Sequence, residues 1–229
     1  MGYLWSVLSP LLIMIVMVIV FSNLFLSDIQ YFPVYLLIGY MLFSFMSNSS
    51  TRALASVVQN AGILKKIYVP KYIFTLASVT SEFVNFFFSL GALLLVMLIT
   101  GTPITWRFFL VIIPIIQLYV FCIGTGLFLA QITVFFRDVM HIWSVVITAW
   151  MYLSAIFYPV TILPEKMQNI ISNYNPLYFY ITMFRNFTIG GPGMGGTNYA
   201  VRGAIAAGLM LLIGIISFSR NKNKFILYL

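Results

Sequence analysis

Few residues in this 229-residue chain have the type and spacing to do chemistry. His141 is the only histidine and Cys122 the only cysteine. A zinc site needs several such ligands at close spacing and a disulfide needs a second thiol, so both are excluded within the chain. A nucleophilic triad would have to use His141 as its base, and no partner set stands around it. His141 reads instead as an interfacial polar residue beside Asp138. The run Gly190-Gly191-Pro192-Gly193-Met194-Gly195-Gly196 lacks the Lys-Ser/Thr of a phosphate-binding loop and is a turn or flexible loop. No Asp-rich motif of the kind that metal-dependent lipid transferases use is present. Glu82 differs from these. It lies about eleven residues into a long apolar run with Asn85 one turn on, and an ionisable group at such depth is a candidate proton or cation carrier. A second account is a carboxyl that hydrogen-bonds to a neighbouring helix and is protonated by desolvation. The second is expected, because a coupling site needs partner charges and the sequence offers none at that depth. The chain reads as a non-enzyme with no nucleotide site and no cofactor of its own.

The elements that position these residues follow from composition. Apolar residues make up 62% of the chain and charged residues 7%, against about a quarter charged in soluble domains. This excludes a soluble enzyme. Twelve Lys and Arg against four Asp and Glu give a net charge of +8, too few charges over too long a chain for a nucleic-acid binder. The class is an all-α, polytopic membrane protein forming one domain over residues 1–229. Six segments reach the length needed to cross the hydrocarbon core, at about 2–26, 32–50, 72–100, 108–136, 139–160 and 200–219. Breaks are predicted at Ser27-Asp28, Gly101-Thr102-Pro103 and Arg137-Asp138. The first segment lacks a basic flank and is too long for the apolar part of a signal peptide. With a cytoplasmic N-terminus, the inner ends hold Arg52, Lys65, Lys66, Lys71, Arg137, Arg220, Lys222 and Lys224. The outer ends hold Arg107, Lys166, Arg185 and Arg202. The bias toward positive inner loops therefore favours both termini in the cytoplasm.

Two connections are longer than turns. The inner one, about 51–71, contains Leu54, Val57, Val58 and Ala61 at helical spacing, predicting a short amphipathic helix ended by Gly62. The basic, apolar stretch from Ile63 to Lys71 follows it, interrupted by Pro70. The outer one, about 161–199, carries a stripe of Met167, Ile170, Ile171 and Tyr174. Asn175-Pro176 then supplies a helix N-cap and first turn for a second apolar piece ending near Thr188. Neither piece is long enough to span, so two half-helices in the outer leaflet are expected. Asp138 is expected to N-cap the fifth span while Arg137 snorkels toward headgroups.

This order of features resembles the permease subunit of ABC exporters for lipid-linked polysaccharides and polyol phosphates, the family of O-antigen, capsule and teichoic acid exporters. Gly2-Tyr3-Leu4-Trp5-Ser6-Val7-Leu8-Ser9-Pro10 resembles that family's opening of the first span. The stretch Asn60-Ala61-Gly62-Ile63-Leu64-Lys65-Lys66-Ile67-Tyr68-Val69-Pro70-Lys71 is similar to its coupling loop. Phe135-Phe136-Arg137-Asp138-Val139 resembles its turn between spans four and five, and Tyr174-Asn175-Pro176-Leu177 its outer Asn-Pro element. Members of the family begin with a cytoplasmic segment bearing an amphipathic interfacial helix. Here Met1 stands directly before Gly2, so no gating role of that helix is carried over.

The resemblance implies a homodimer in the bacterial cytoplasmic membrane with two copies of an ABC ATPase subunit, which would bind the ATP and Mg. The ATPase contact would use Leu54, Val57, Val58, Leu64, Lys65, Lys66, Ile67, Tyr68 and Pro70. From the residues alone the same stretch is also an amphipathic helix lying on anionic membrane lipid. Arg137 and Asp138 form a possible second cytoplasmic contact beside their capping role. The cargo would be a lipid-linked glycan. Aromatic faces suit sugar rings, and Trp143, Trp150 and Phe157 recur every seven residues along the predicted fifth span. Trp150, Tyr152, Phe157 and Tyr158 are candidates for the substrate path. An interfacial belt also accounts for Trp143 and Tyr158, and helix packing for Trp150. Other accounts of the chain are an ABC permease for a drug or lipid, or a secondary transporter dependent on Glu82.

Overall fold

A computed structural model describes residues 2–25, 31–64, 69–190 and 196–221. The regular elements among them are all helical. Helix α1 runs Gly2–Phe25, α2 Phe32–Gln59, α3 Ala61–Leu64 and α4 Tyr72–Thr100. A 3-10 turn at Trp106–Val111 leads into α5, Ile112–Phe135, and α6 follows at Val139–Tyr152. The short helices α7, Glu165–Tyr174, and α8, Pro176–Thr188, precede α9, Gly196–Asn221. Among the described residues, four helical stretches are long and apolar enough to cross a membrane: Phe32–Ile63, Tyr72–Thr100, Trp106–Phe135 and Asn198–Arg220.

Several predicted ends hold. Gly101 closes α4 in the left-handed conformation at φ 68°, its N–H bonding to the carbonyls of Leu98 and Met97. The Arg137-Asp138 break separates α5 from α6. Asp138 stands at the N-cap position of α6, but its side chain makes no cap bond, because its backbone is already helical at φ −64°, ψ −16°. The Ser27-Asp28 break lies outside the described residues.

Two predicted boundaries are corrected. Helix α2 does not stop at residue 50. The polar run Ser47-Asn48-Ser49-Ser50-Thr51 contains no glycine or proline, and the hydroxyls of Ser49 and Ser50 donate back to the carbonyls of Met46 and Ser47. The expected separate amphipathic helix from Leu54 is therefore the last turns of α2, and the chain turns at Asn60, before Gly62. The fifth segment, expected to be helical to residue 160, unwinds after Tyr152. At ~1.5 Å per residue the 14 residues of α6 cover only about 21 Å. Residues 153–159 then fold inward, with Ala155 at φ 48° and Ser154, Ala155 and Ile156 almost wholly covered.

Helix α2 is the centre of the fold, and Leu36, Leu37, Ile38, Leu42 and Met46 are fully buried. Helix α4 lies along one side of it and α5 along another, while α1 packs on α2 and α4. Helix α9 runs along α5. Lipid tails are as apolar as leucine, so these contacts must come from close packing and polar links. The α5–α9 contact shows the first of these. A Cβ on Gly214 would lie 2.3 Å from the Gly124 carbonyl oxygen, and one on Gly124 would lie 2.4 Å from the Met210 backbone. The side chains of Gln131 and Ser217 are hydrogen-bonded further along the same pair.

Hydrogen bonds also sort the helix ends. Ser56 pairs with Thr75 at 3.0 Å and Trp143 with Ser50 at 3.1 Å, which gathers the Arg52, Lys71 and Arg137 ends of α2, α4 and α6. Tyr180 bonds to the Gly203 carbonyl and Gln117 to the Ala200 carbonyl, which gathers α8, α9 and the start of α5 at the opposite end.

Gly214→Ala should lower the thermal stability of the purified protein in detergent by on the order of 1–3 kcal/mol, because its methyl meets backbone that cannot swing aside. Gly208→Ala, with nothing within 4 Å, is the control and should leave the melting temperature unchanged. Equal melting temperatures for the two variants would remove the close α5–α9 crossing from this account.

Candidate functional site

Two polar constellations sit inside this apolar scaffold. The first lies between α1, α2 and α4. Along α2, Tyr40, Ser44, Asn48 and Arg52 recur every four residues and so form one face, about 18 Å long. Asn48 donates to the Ser44 hydroxyl at 3.3 Å. On α4, Glu82, Asn85 and Ser89 present the opposing face, and Asn85 Nδ2 lies 3.4 Å from Glu82 Oε1. Trp5 and Ser9 of α1 complete a groove of about 240 Å³. Arg52 Nε and Glu82 Oε1 are 2.8 Å apart, joining the two faces. Glu82 is 5% exposed and Arg52 60%, so the pair has one end in the protein and the other at its surface.

This corrects the expectation for Glu82. It does bond to a neighbouring helix, but its partner there is the Arg52 guanidinium of α2, a charge the sequence reading did not place at that depth. The expectation failed because Arg52 was assigned to a loop. Continuation of α2 through residue 59 carries Arg52 alongside Glu82. The four-residue polar ladder on α2 was the signal that pointed to this.

The second constellation surrounds the unwound end of α6. Arg185 of α8 is 3% exposed and forms no salt bridge among the described residues. Its guanidinium instead donates to three backbone carbonyls: Tyr35 at 3.1 and 3.3 Å, Ala155 at 3.2 Å and Ile156 at 2.8 Å. Its Cζ lies 3.4 Å from the centre of the Tyr35 ring, a cation–π contact. Gly39 makes room, since a Cβ there would stand 2.7 Å from Arg185 Nη2. Asn175 works beside it. Its Oδ1 caps α8 through Leu177 N at 3.1 Å and accepts the Trp150 indole N–H at 2.9 Å. Its Nδ2 donates to the Leu153 carbonyl and the Ser154 hydroxyl. The predicted Asn175-Pro176 cap is therefore present and also ties α8 to α6. Arg185 had been counted only as an outer basic residue. An arginine alone in the apolar run 177–188 carries the same intramembrane signal as Glu82.

The expected sites are distributed differently from the sequence reading. Trp150 is half-buried, and its ring meets Phe121 edge-on at 6.2 Å and Trp143 at 6.4 Å, so it packs between helices. Phe157 is buried in the inward fold after α6 and shares no helical face with Trp143 and Trp150. Tyr158 is half-buried and donates to the Tyr152 carbonyl at 2.5 Å, while Tyr152 is exposed. The predicted stripe of the outer connection lies on α7. Met167, Ile170 and Tyr174 are exposed, and Ile171 alone of that stripe is buried.

In the inner connection, Leu54 and Val57 are buried against the protein's own helices, so they are not the outward stripe expected for a partner. Val58 is half-buried and Pro70 exposed. Lys65, Lys66, Ile67 and Tyr68 lie outside the described residues, and for Leu64 only the backbone of α3 is described. Arg137 and Asp138 are both exposed at the α5–α6 turn.

Comparison with known proteins adds family information to this geometry. The model of the ABC-2 type transporter family matches residues 1–188. An O-antigen export system permease protein of Klebsiella pneumoniae is 29% identical over 229 residues, spanning 98% of this chain and 86% of its own length. Its namesake in Myxococcus xanthus is 27% identical over 186 residues, 81% of this chain and 72% of that protein. A capsule polysaccharide export inner-membrane protein of Neisseria meningitidis is 24% identical over 175 residues, 74% of this chain and 65% of that protein.

Arg185→Leu should destabilise the protein by on the order of 3 kcal/mol or more, since the Ala155 and Ile156 carbonyls would be left buried and unmatched. Arg185→Lys keeps the charge but not the planar fork, and should fall between wild type and Arg185→Leu. Thermal unfolding in detergent measures both, and a melting temperature unchanged by Arg185→Leu would refute the role assigned to this side chain.

Proposed function

The chain belongs to the ABC-2 type transporter family, and on that premise we propose that it is the membrane-spanning subunit of an ATP-driven exporter for a lipid-linked polysaccharide or polyol phosphate. One observation carries the reading: similarity to an O-antigen export permease over nearly the whole chain. The absence of a phosphate-binding loop from the full sequence fits with it, because ATP and Mg then belong to a separate ATPase subunit. The whole chain, 1–229, acts as one permease domain.

The membrane arrangement has six crossings, by α1, α2, α4, α5, α6 with its inward-folded extension, and α9. Helices α7 and α8 lie in the outer leaflet. Irregular backbone survives at membrane depth only when its polar groups are matched inside protein, and the bonds from Arg185 and Asn175 match the carbonyls of Leu153, Ala155 and Ile156. The end carrying Arg52, Lys71, Arg137 and Arg220 faces the cytoplasm together with both termini, by the excess of basic residues there. Two copies assemble in the bacterial cytoplasmic membrane with two ATPase subunits.

The ATPase contact centres on the connection after α2. With Leu54 and Val57 committed to the core, the contact surface moves to α3 and the stretch after it, where Ile63 is 47% exposed. Helix α2 runs unbroken from this connection to Phe32, so a push on α3 is passed along a rod of about 42 Å.

Two experiments test the reading. In inverted vesicles, glycan export should require ATP and the ATPase subunit and be indifferent to an imposed ion gradient. Export that follows the gradient without ATP would replace this reading with secondary transport. Replacing both Leu64 and Ile67 with Asp should release the ATPase subunit in co-purification or uncouple its hydrolysis from export, because charge would enter an apolar contact. Unchanged co-purification and unchanged export would move the contact elsewhere on the cytoplasmic face.

A further inference from the structure

The groove between α1, α2 and α4 has a floor of core residues Met41, Phe45 and Phe86, yet it concentrates polar side chains where the surrounding faces are apolar. We infer that it is a sugar-binding site, taking one ring of the exported glycan against Asn48, Arg52, Glu82 and Asn85. This rests on the export reading above and deepens it. Hydrocarbon does not satisfy amides, hydroxyls or a guanidinium, so a polar groove at this depth needs a polar occupant.

The lining chemistry selects the class of occupant. It holds one arginine and one acid in contact at 2.8 Å, so their charges offset. A phosphate or pyrophosphate headgroup would meet the Glu82 carboxylate beside Arg52, the one cation among the described lining residues. A neutral polyol meets no such repulsion. Arg52 is held through Nε, which leaves its Nη atoms to donate, while the Asn48 and Asn85 amides both donate and accept. Vicinal hydroxyls match such paired donors and acceptors. Trp5 and Tyr40 border the same groove and supply the aromatic surface that the apolar face of a sugar ring takes.

Size points the same way. At 240 Å³ the groove has room for at least one sugar ring, since a single water needs only about 10–15 Å³ of such space. The groove also touches the rod that leads from the ATPase contact, since Arg52 and Asn48 belong to α2. Movement of α2 would change the distance from Arg52 to Glu82 and hence the fit of the ring.

The test uses the full complex in cells whose glycan is labelled with a tritiated sugar. A photoreactive p-benzoylphenylalanine replaces Asn85 or, separately, Asn48. Leu95 on the same helix, 49% exposed and outside the groove, is the comparison position. Tritium should attach to the permease at positions 85 and 48 about tenfold more than at 95, as expected for a hydrogen-bonded site against a lipid-facing one. Attachment equal at the three positions, or attachment of 32P-labelled phospholipid in place of sugar, overturns the assignment. A second arm avoids bulky replacements: Asn48→Ala with Asn85→Ala should slow export about tenfold at equal yield of assembled complex. Unaltered export in that variant also overturns it. Depletion of the chain separates the two levels. If depletion leaves export intact, the export reading falls and this site with it; if export stops but no sugar attaches at 85 or 48, the site alone falls.

Discussion

The carbonyls of the irregular stretch after α6 are the constraint on which this end of the protein depends. The last carbonyls of α6 are met nearby by the N–H groups of Leu153 and Ser154 and the hydroxyls of Ser154 and Tyr158, but those of Leu153, Ala155 and Ile156 lie beyond the helix, where lipid supplies no partner. Arg185 and Asn175 meet that demand from α8, with the guanidinium on Ala155 and Ile156 and the amide on Leu153 and Ser154. The same guanidinium bonds to the Tyr35 carbonyl near the start of α2, so one side chain joins three elements. Gly39, the Tyr35 ring and the Asn175-Pro176 cap follow as conditions for its position. Without this network the inward fold of 153–158 would have to rewind as helix or reach water.

The other end is organised differently. There the links run between hydroxyls, amides and one ion pair: Ser56 with Thr75, Trp143 with Ser50, and Arg52 with Glu82. Such bonds hold helices in register without filling a core. The unbroken α2 connects the two regimes, buried by its apolar side chains along one length and bearing a polar ladder along another. Its polar serines are compatible with this because they bond to their own helix and leave the backbone ladder intact.

Some mistaken expectations share one cause. A run such as Ser47 to Thr51 lowers local hydropathy and reads as the end of a span. Yet it contains nothing that stops a helix, and once α2 continued, Arg52 lay beside Glu82 and Leu54 and Val57 turned inward. Conversely, Leu153 to Phe157 is apolar enough to read as helix. It unwinds because Arg185 and Asn175, some 20 to 30 residues later, bond to its backbone. Hydropathy measures transfer to lipid, and neither event is a transfer.

What the sequence determined by itself is the class, the helix-rich architecture and those boundaries that local chemistry sets. Too little charge excludes water, Gly101 stops α4 because glycine alone enters the left-handed cap freely, and Asn175-Pro176 starts α8 because each fits its own turn. The family likeness was legible as well, since it resides in short contiguous stretches. Only the tertiary structure decided which polar groups meet. Arg185 with Ala155, Trp150 with Asn175 and Arg52 with Glu82 are separated by 25 to 30 residues. Helical periodicity says which side of a helix a residue occupies, but not which neighbour that side faces, because that follows from how all the helices pack at once.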